Sequence, residues 1–163
     1  MARYKLILAY DGTGFTGSQR QANSRTVQGE LEKALRRLGW SDKSIMMAGR
    51  TDTGVHATGQ VAAFDFEWVH TEDKLLRALN ADLPSDLVIR SLITAPADFH
   101  PRFDAASREY RYRLFCGTIR DPLRERFLWR VWPALDEDVL NQAANIFLGT
   151  HDFVSMGSPT TPK

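Results

Sequence analysis

The first 95 residues predict an α+β fold with an antiparallel sheet. Three observations carry this: short runs of alternating apolar and polar residues, two segments with an apolar stripe at helical spacing behind a threonine, and glycine or proline between them. Lys5–Tyr10 alternates, with Leu6, Leu8 and Tyr10 on one side and Ile7 and Ala9 on the other, which reads as a strand. Asp11-Gly-Thr-Gly14 breaks it as a glycine-rich loop. Thr26 caps a helix whose stripe is Val27, Leu31, Ala34, Leu35 and Leu38, with Gly39 closing it. Ile45–Ala48 reads as a short strand, 49–56 as a polar turn and Val61–Phe66 as a further strand. Thr71 caps a second helix through Leu75, Leu76 and Leu79; Leu83-Pro84 ends it, and Leu87–Ile93 is the last strand. The order β-α-β-β-α-β is the ferredoxin-like arrangement. Residues 1–95 are therefore expected to form one domain and 96–163 to begin a second α+β domain. In that part Arg108–Phe115 and Leu128–Trp132 read as strands, and Asp136 caps a helix with Val139, Leu140, Ala143, Ala144 and Phe147 inward, ending at Gly149. Two strands and a helix do not close a domain by themselves, so the second part is expected to be truncated.

Composition fits a soluble, cytoplasmic protein. Hydrophobic residues are 43% and charged residues 25% of the chain, near the globular average. No apolar run approaches the ~20 residues of a membrane span, and no secretion signal precedes the first strand. The lone Cys116 has no partner for an internal disulfide. The net charge of +1 conceals an uneven distribution. Between His100 and Arg130 eight arginines face four acids, and none of the basic residues there is lysine. Arginine binds phosphate bidentately and stacks on bases, although a solvated arginine-rich surface explains the same pattern.

Chemistry concentrates in Gly49-Arg50-Thr51-Asp52-Thr53-Gly54-Val55-His56. Such a loop between strands can expose the Asp52 carboxylate with Arg50 beside it, and an ionised carboxylate in a cleft can serve as nucleophile, base or metal ligand. Read locally, a structural turn with Gly54 at positive φ is the simpler account. Asp52 and His56 would pair on a metal only within a helix, which the flanking glycines oppose, and no Cys/His cluster exists, so no metal site is expected. Asp11-Gly-Thr-Gly14 lacks the remainder of a nucleotide-binding motif. Tyr110 would sit at the polar end of an apolar strand face, where a tyrosine can stack on a base or fill a core.

Several collinear stretches together resemble the tRNA pseudouridine synthase A family. They are Tyr10-Asp-Gly-Thr-Gly-Phe15, Gln19-Arg-Gln21, Thr26-Val-Gln28, Ala48-Gly-Arg-Thr-Asp-Thr-Gly-Val-His56, Gly59-Gln-Val61, Asn80-Ala-Asp-Leu-Pro84, Phe99-His-Pro-Arg-Phe103 and Tyr110-Arg-Tyr112. The chain departs from the family at Ser18, where tryptophan is usual, at Thr53 (alanine) and at Met156 (phenylalanine). The resemblance implies an isomerase that converts uridine to pseudouridine in the anticodon stem-loop of tRNA. It also implies no cofactor and a homodimer. By match of position, Asp52 is the nucleophile, Arg50 the arginine beside it and Tyr110 the tyrosine that packs against the target uracil. Arg20, His56, Arg102, Arg108, Arg111 and Arg113 are expected to contact RNA. Family members are longer than this chain, so activity is expected to need a downstream segment. Two other readings stand against this one: a non-catalytic RNA-binding ferredoxin-like module, and a metal-dependent hydrolase using Asp52, His56 and Asp152.

Overall fold

The computed structural model describes residues 1–156. Strands β1 (Ala2–Tyr10), β2 (Met46–Met47), β3 (Ala57–Phe66) and β4 (Leu87–Ala95) form one antiparallel sheet in the order β2-β3-β1-β4. Helix α1 (Val27–Arg37) joins β1 to β2, and α2 (Glu72–Asp82) joins β3 to β4. This is the ferredoxin-like α+β fold expected above. Caps fall where the sequence places them. The Thr26 hydroxyl accepts from Gly29 N and that of Thr71 from Lys74 N, and Arg36 and Arg37 complement the dipole in the last turn of α1.

Alternation puts Tyr4, Leu6, Leu8 and Tyr10 of β1 inward against Ala62, Phe64 and Phe66 of β3, with Tyr4 opposite Phe64 and Leu6 opposite Ala62. Val27, Leu31, Ala34 and Leu35 of α1 and Leu75 and Leu79 of α2 complete the core. On β4 the buried residues change parity, from Leu87 and Ile89 to Leu92, because the ladder with β1 shifts register and leaves Arg90 as an extra residue. A second shift, between Leu8 and Tyr10 against β3, lies at the same end of β1. Bulges of this kind bend strands and re-aim side chains, and the second falls in the first residues of β3, directly after the loop that carries Asp52.

The chain divides into two compact units, Met1–Glu109 and the residues from Tyr110 onward. Residues 96–109 join the first unit through side chains of its sheet. Arg3 Nη1 donates to Phe99 O at 2.9 Å, Lys5 Nζ lies 5.3 Å from the centre of the Phe99 ring, and Pro101 is fully buried.

In the second unit β5 (Leu114–Cys116) pairs in parallel with β6 (Trp129–Val131), and α3 (Glu137–Ile146) is capped by Asp136. The strand expected over 108–115 forms only in its last residues. Residues 105–113 are irregular, because β6 offers three residues to pair with and a strand exists only where a partner does. Glu109, Arg111 and Arg113 therefore do not form one face of a ladder opposite Tyr110 and Tyr112. No residue of α3 is buried, so its apolar stripe is uncovered.

Candidate active site

Residues 48–56 connect β2 to β3, and the backbone of this loop is held along its length by other parts of the first unit. At its root the Gln60 amide donates to Gly49 O at 2.6 Å, and Arg108 Nη2 donates to Ala48 O at 3.2 Å. At its centre Thr51 N donates to the buried Ser18 Oγ at 2.8 Å, and Ser18 N returns a bond to Thr51 O at 2.9 Å. The Tyr10 hydroxyl, at the end of β1, meets Thr51 Oγ1 at 2.9 Å. Beyond Asp52, Gly54 N donates to Phe15 O and Val55 N to Asp52 O, and Gly54 takes the positive φ that the turn requires. Gly12 N lies 3.1 Å from His56 Nδ1. Gly12 packs so closely on this loop that a Cβ there would stand 2.0 Å from Val55 O.

Asp52 is thus exposed on a loop whose backbone is fixed on both sides, and Arg50 is exposed two residues before it. Among the described residues no ion pair joins the two side chains. His56 lies 3.1 Å from Asp11 Oδ1 and ties the end of the loop to the Asp11–Gly14 turn. Arg20 and Arg108, both singled out for RNA, have structural partners within the first unit. Arg20 Nη1 binds Glu32 Oε2 at 2.5 Å and the Lys43 carbonyl at 3.0 Å. Arg108 bonds the Ala48 and Arg102 carbonyls. Tyr110, Arg111 and Arg113 belong to the second unit and are exposed. Further along, Arg120 and Arg130 pair with Glu125, and Arg124 covers the Phe115 ring at 4.2 Å. Part of the local arginine excess is therefore matched within the chain.

A buried carboxylate that the sequence conceals also braces this architecture. Glu32, on α1, has no exposed surface. Its carboxylate accepts from Arg20, Arg36 (3.1 Å), the Gln28 amide (2.8 Å) and Ile45 N (3.2 Å). The available signal was the i, i+4 series Gln28, Glu32, Arg36 beside the apolar stripe. Removing one partner of a buried ion pair costs about 3–5 kcal/mol. The two arginines here are partly exposed and can regain water, so Glu32→Ala is expected to cost about 3 kcal/mol in urea unfolding. A cost below about 1 kcal/mol contradicts this account of the network.

Two further clamps hold the strand ends. Arg25 binds Asp86 through two bonds of 2.8 and 2.7 Å and lies over the Phe15 ring. Arg3 binds Asp65 in the same two-pronged manner. In each pair the guanidinium hydrogen bond holds the carboxyl below its ordinary range, against a smaller opposing effect of burial. A depressed folded pKa means that this stability is complete above the unfolded value of about 3.9 and is lost as pH falls from there through the folded value. Asp65→Asn is therefore expected to flatten the acid limb of stability against pH, measured by urea unfolding. An unchanged acid limb refutes the assignment.

The sequence pattern of the tRNA pseudouridine synthase family matches residues 6–104, which include the whole loop and its supports. The chain belongs to this family. It is 45% identical over 161 residues, 98% of its length, to tRNA pseudouridine synthase A of Geobacillus kaustophilus. Corresponding values are 44% over 165 residues for the enzyme of Listeria innocua and 44% over 160 for that of Chloroflexus aurantiacus. The chain spans 58% to 66% of the length of these curated relatives. No helix among its described residues is long and apolar enough to cross a membrane. Within this chain, many of the family-like motif residues serve the architecture. Asn80 closes a pair of hydrogen bonds with Ile89 N and O, joining α2 to β4, and Gln21 donates to Thr16 O.

Proposed function

We propose that this chain carries the catalytic loop of a tRNA pseudouridine synthase, with Asp52 as the nucleophile. One observation carries the reading. Asp52 is the exposed acid at the centre of a loop whose neighbouring backbone is hydrogen-bonded on both sides, the arrangement that pre-organised chemistry needs.

The reaction breaks the bond between ribose C1′ and uracil N1, turns the base, and joins C1′ to C5. N1 gains a proton and C5 releases one, so atoms balance with no redox change and no cofactor. The Asp52 carboxylate attacks uracil C6 or ribose C1′, or removes the 2′ proton to give a glycal; each route requires it ionised. The target uridine, in the anticodon stem-loop, leaves its stack to be reached. Arg50 then fills the gap or faces the carboxylate, and Tyr110 stacks on the flipped base. Arg20, His56, Arg102, Arg108, Arg111 and Arg113 supply contacts to RNA, mostly to phosphate, which give affinity without sequence information. We place the protein in the cytoplasm as a homodimer, with the catalytic loop in its first domain.

The rival reading, a ferredoxin-like module that binds RNA on sheet aromatics, is weakened by the core. Phe64 and Phe66, the aromatics of the middle strands, are 1% and 7% exposed. For the hydrolase reading, no group of three His, Cys, Asp or Glu placed to hold a metal occurs among the described residues. The test is tritium release from tRNA containing 5-tritiated uridine, using the protein as encoded, in EDTA. Release matched by pseudouridine in the anticodon stem-loop is expected. Bound tRNA without release favours the module, and release that requires added metal favours the hydrolase.

A further inference from the structure

We infer that Thr51 and Tyr10 are positioning residues, which set the direction of the Asp52 side chain through hydrogen bonds to the residue before it. This rests on the reading of Asp52 as the reacting group. Thr51 is the most constrained residue of the loop. Its amide and carbonyl are both taken by Ser18, at 2.8 and 2.9 Å, and its side chain is held by the Tyr10 hydroxyl at 2.9 Å. Ser18 is itself fixed, since its carbonyl accepts from Gln28 N in the first turn of α1. Tyr10 is anchored in the core at 5% exposure, with its ring edge-on to Phe15. The backbone and χ1 of residue 51 are thus referred to the rigid sheet and to α1, and the Cα–Cβ direction of the next residue follows from them.

Asp52 itself is exposed, so its aim comes from its backbone. Burial pushes the Tyr10 hydroxyl above its ordinary pKa; it stays a neutral partner across the working range of an enzyme. The bond to Thr51 is therefore not an ion pair and does not titrate near neutrality. A misplacement of the reacting atom of about 1 Å costs on the order of 100-fold in rate. Losing one neutral hydrogen bond of the support loosens the loop without abolishing it, for a predicted loss of roughly five- to ten-fold.

The test is a double-mutant cycle in the protein as encoded, with kcat and KM for tRNA from tritium release and Tm from circular dichroism. Thr51→Val keeps the shape and removes the hydroxyl; kcat should fall about ten-fold while KM stays within about two-fold. Thr51→Ser restores the hydroxyl and should recover kcat to within about two-fold of the parent. Tyr10→Phe should lower kcat about five-fold, and the double variant Tyr10→Phe with Thr51→Val should be no slower than Thr51→Val alone, because both remove the same bond. Parental kcat in Tyr10→Phe, additive losses, or a Thr51→Ser as slow as Thr51→Val overturns the proposal. If Thr51→Val fails to fold, Tyr10→Phe and Thr51→Ser still decide it. Asp52→Asn is run beside them. Its turnover at the parental rate defeats the reading of Asp52, whereas an inactive Asp52→Asn with unaffected Tyr10 and Thr51 variants defeats only the positioning role.

Discussion

Gly12→Ala is expected to dislodge the Asp52 loop and remove most activity, although residue 12 carries no chemistry. A methyl there would lie 2.0 Å from Val55 O, 2.4 Å from Val55 C and 2.9 Å from Gly54 C. All three are backbone atoms, so no side-chain rotation relieves the clash. Either the 54–55 segment or the Asp11–Gly14 turn must move. The turn is held by Asp11 N bonding Asp86 O at 3.0 Å, and Asp86 is gripped by Arg25. The loop is held by Ser18, Phe15 and Tyr10. Overpacking of this kind costs about 1–3 kcal/mol. Displacement of Asp52 by about 1 Å adds on the order of a 100-fold loss of turnover. Urea unfolding and tritium release on the same protein measure both effects. Activity within about three-fold of the parent, well inside the loss expected for such a displacement, contradicts the close packing of the two turns.

Most of the first unit was legible because its elements obey local rules. β1 alternates cleanly, Thr26 and Thr71 cap where a hydroxyl precedes an apolar stripe, and Leu83-Pro84 ends α2. The second unit was less legible. An alternating run such as 108–115 records extended preference, but the ladder depends on a neighbour, and only Leu114–Cys116 finds one. The Gly49–His56 loop was recognisable by its residue types, and its purpose came from resemblance rather than from local chemistry. Its supports were not readable in advance. Ser18, Thr51 and Tyr10 meet across 33 and 41 positions of sequence, and no periodicity encodes such a contact. Glu32 was hidden for a related reason. A glutamate on a helix reads as solvated surface until the chain brings Arg20 and Ile45 N to it. The arginine-rich stretch shows the converse, since a charge count cannot reveal that Arg120 and Arg130 share Glu125.

On the proposed reading the carboxylate of Asp52 performs the chemistry and its loop aims it. Asp52→Asn separates the charge from the shape. Asparagine matches the shape of aspartate, and the backbone bonds from Ser18, Phe15 and Val55 do not involve the side chain. The fold and the affinity for tRNA should therefore survive. What disappears is the negative charge that attack on C6, attack on C1′ and removal of the 2′ proton all require. The measurement is single-turnover tritium release from 5-tritiated uridine in tRNA, with filter binding of the same tRNA as control. Release is expected at or below about one ten-thousandth of the parental rate, the scale on which losing an essential member of a catalytic group is felt, with tRNA affinity within about three-fold of the parent. Release by Asp52→Asn at a rate near the parent's, with tRNA bound equally well, would contradict it.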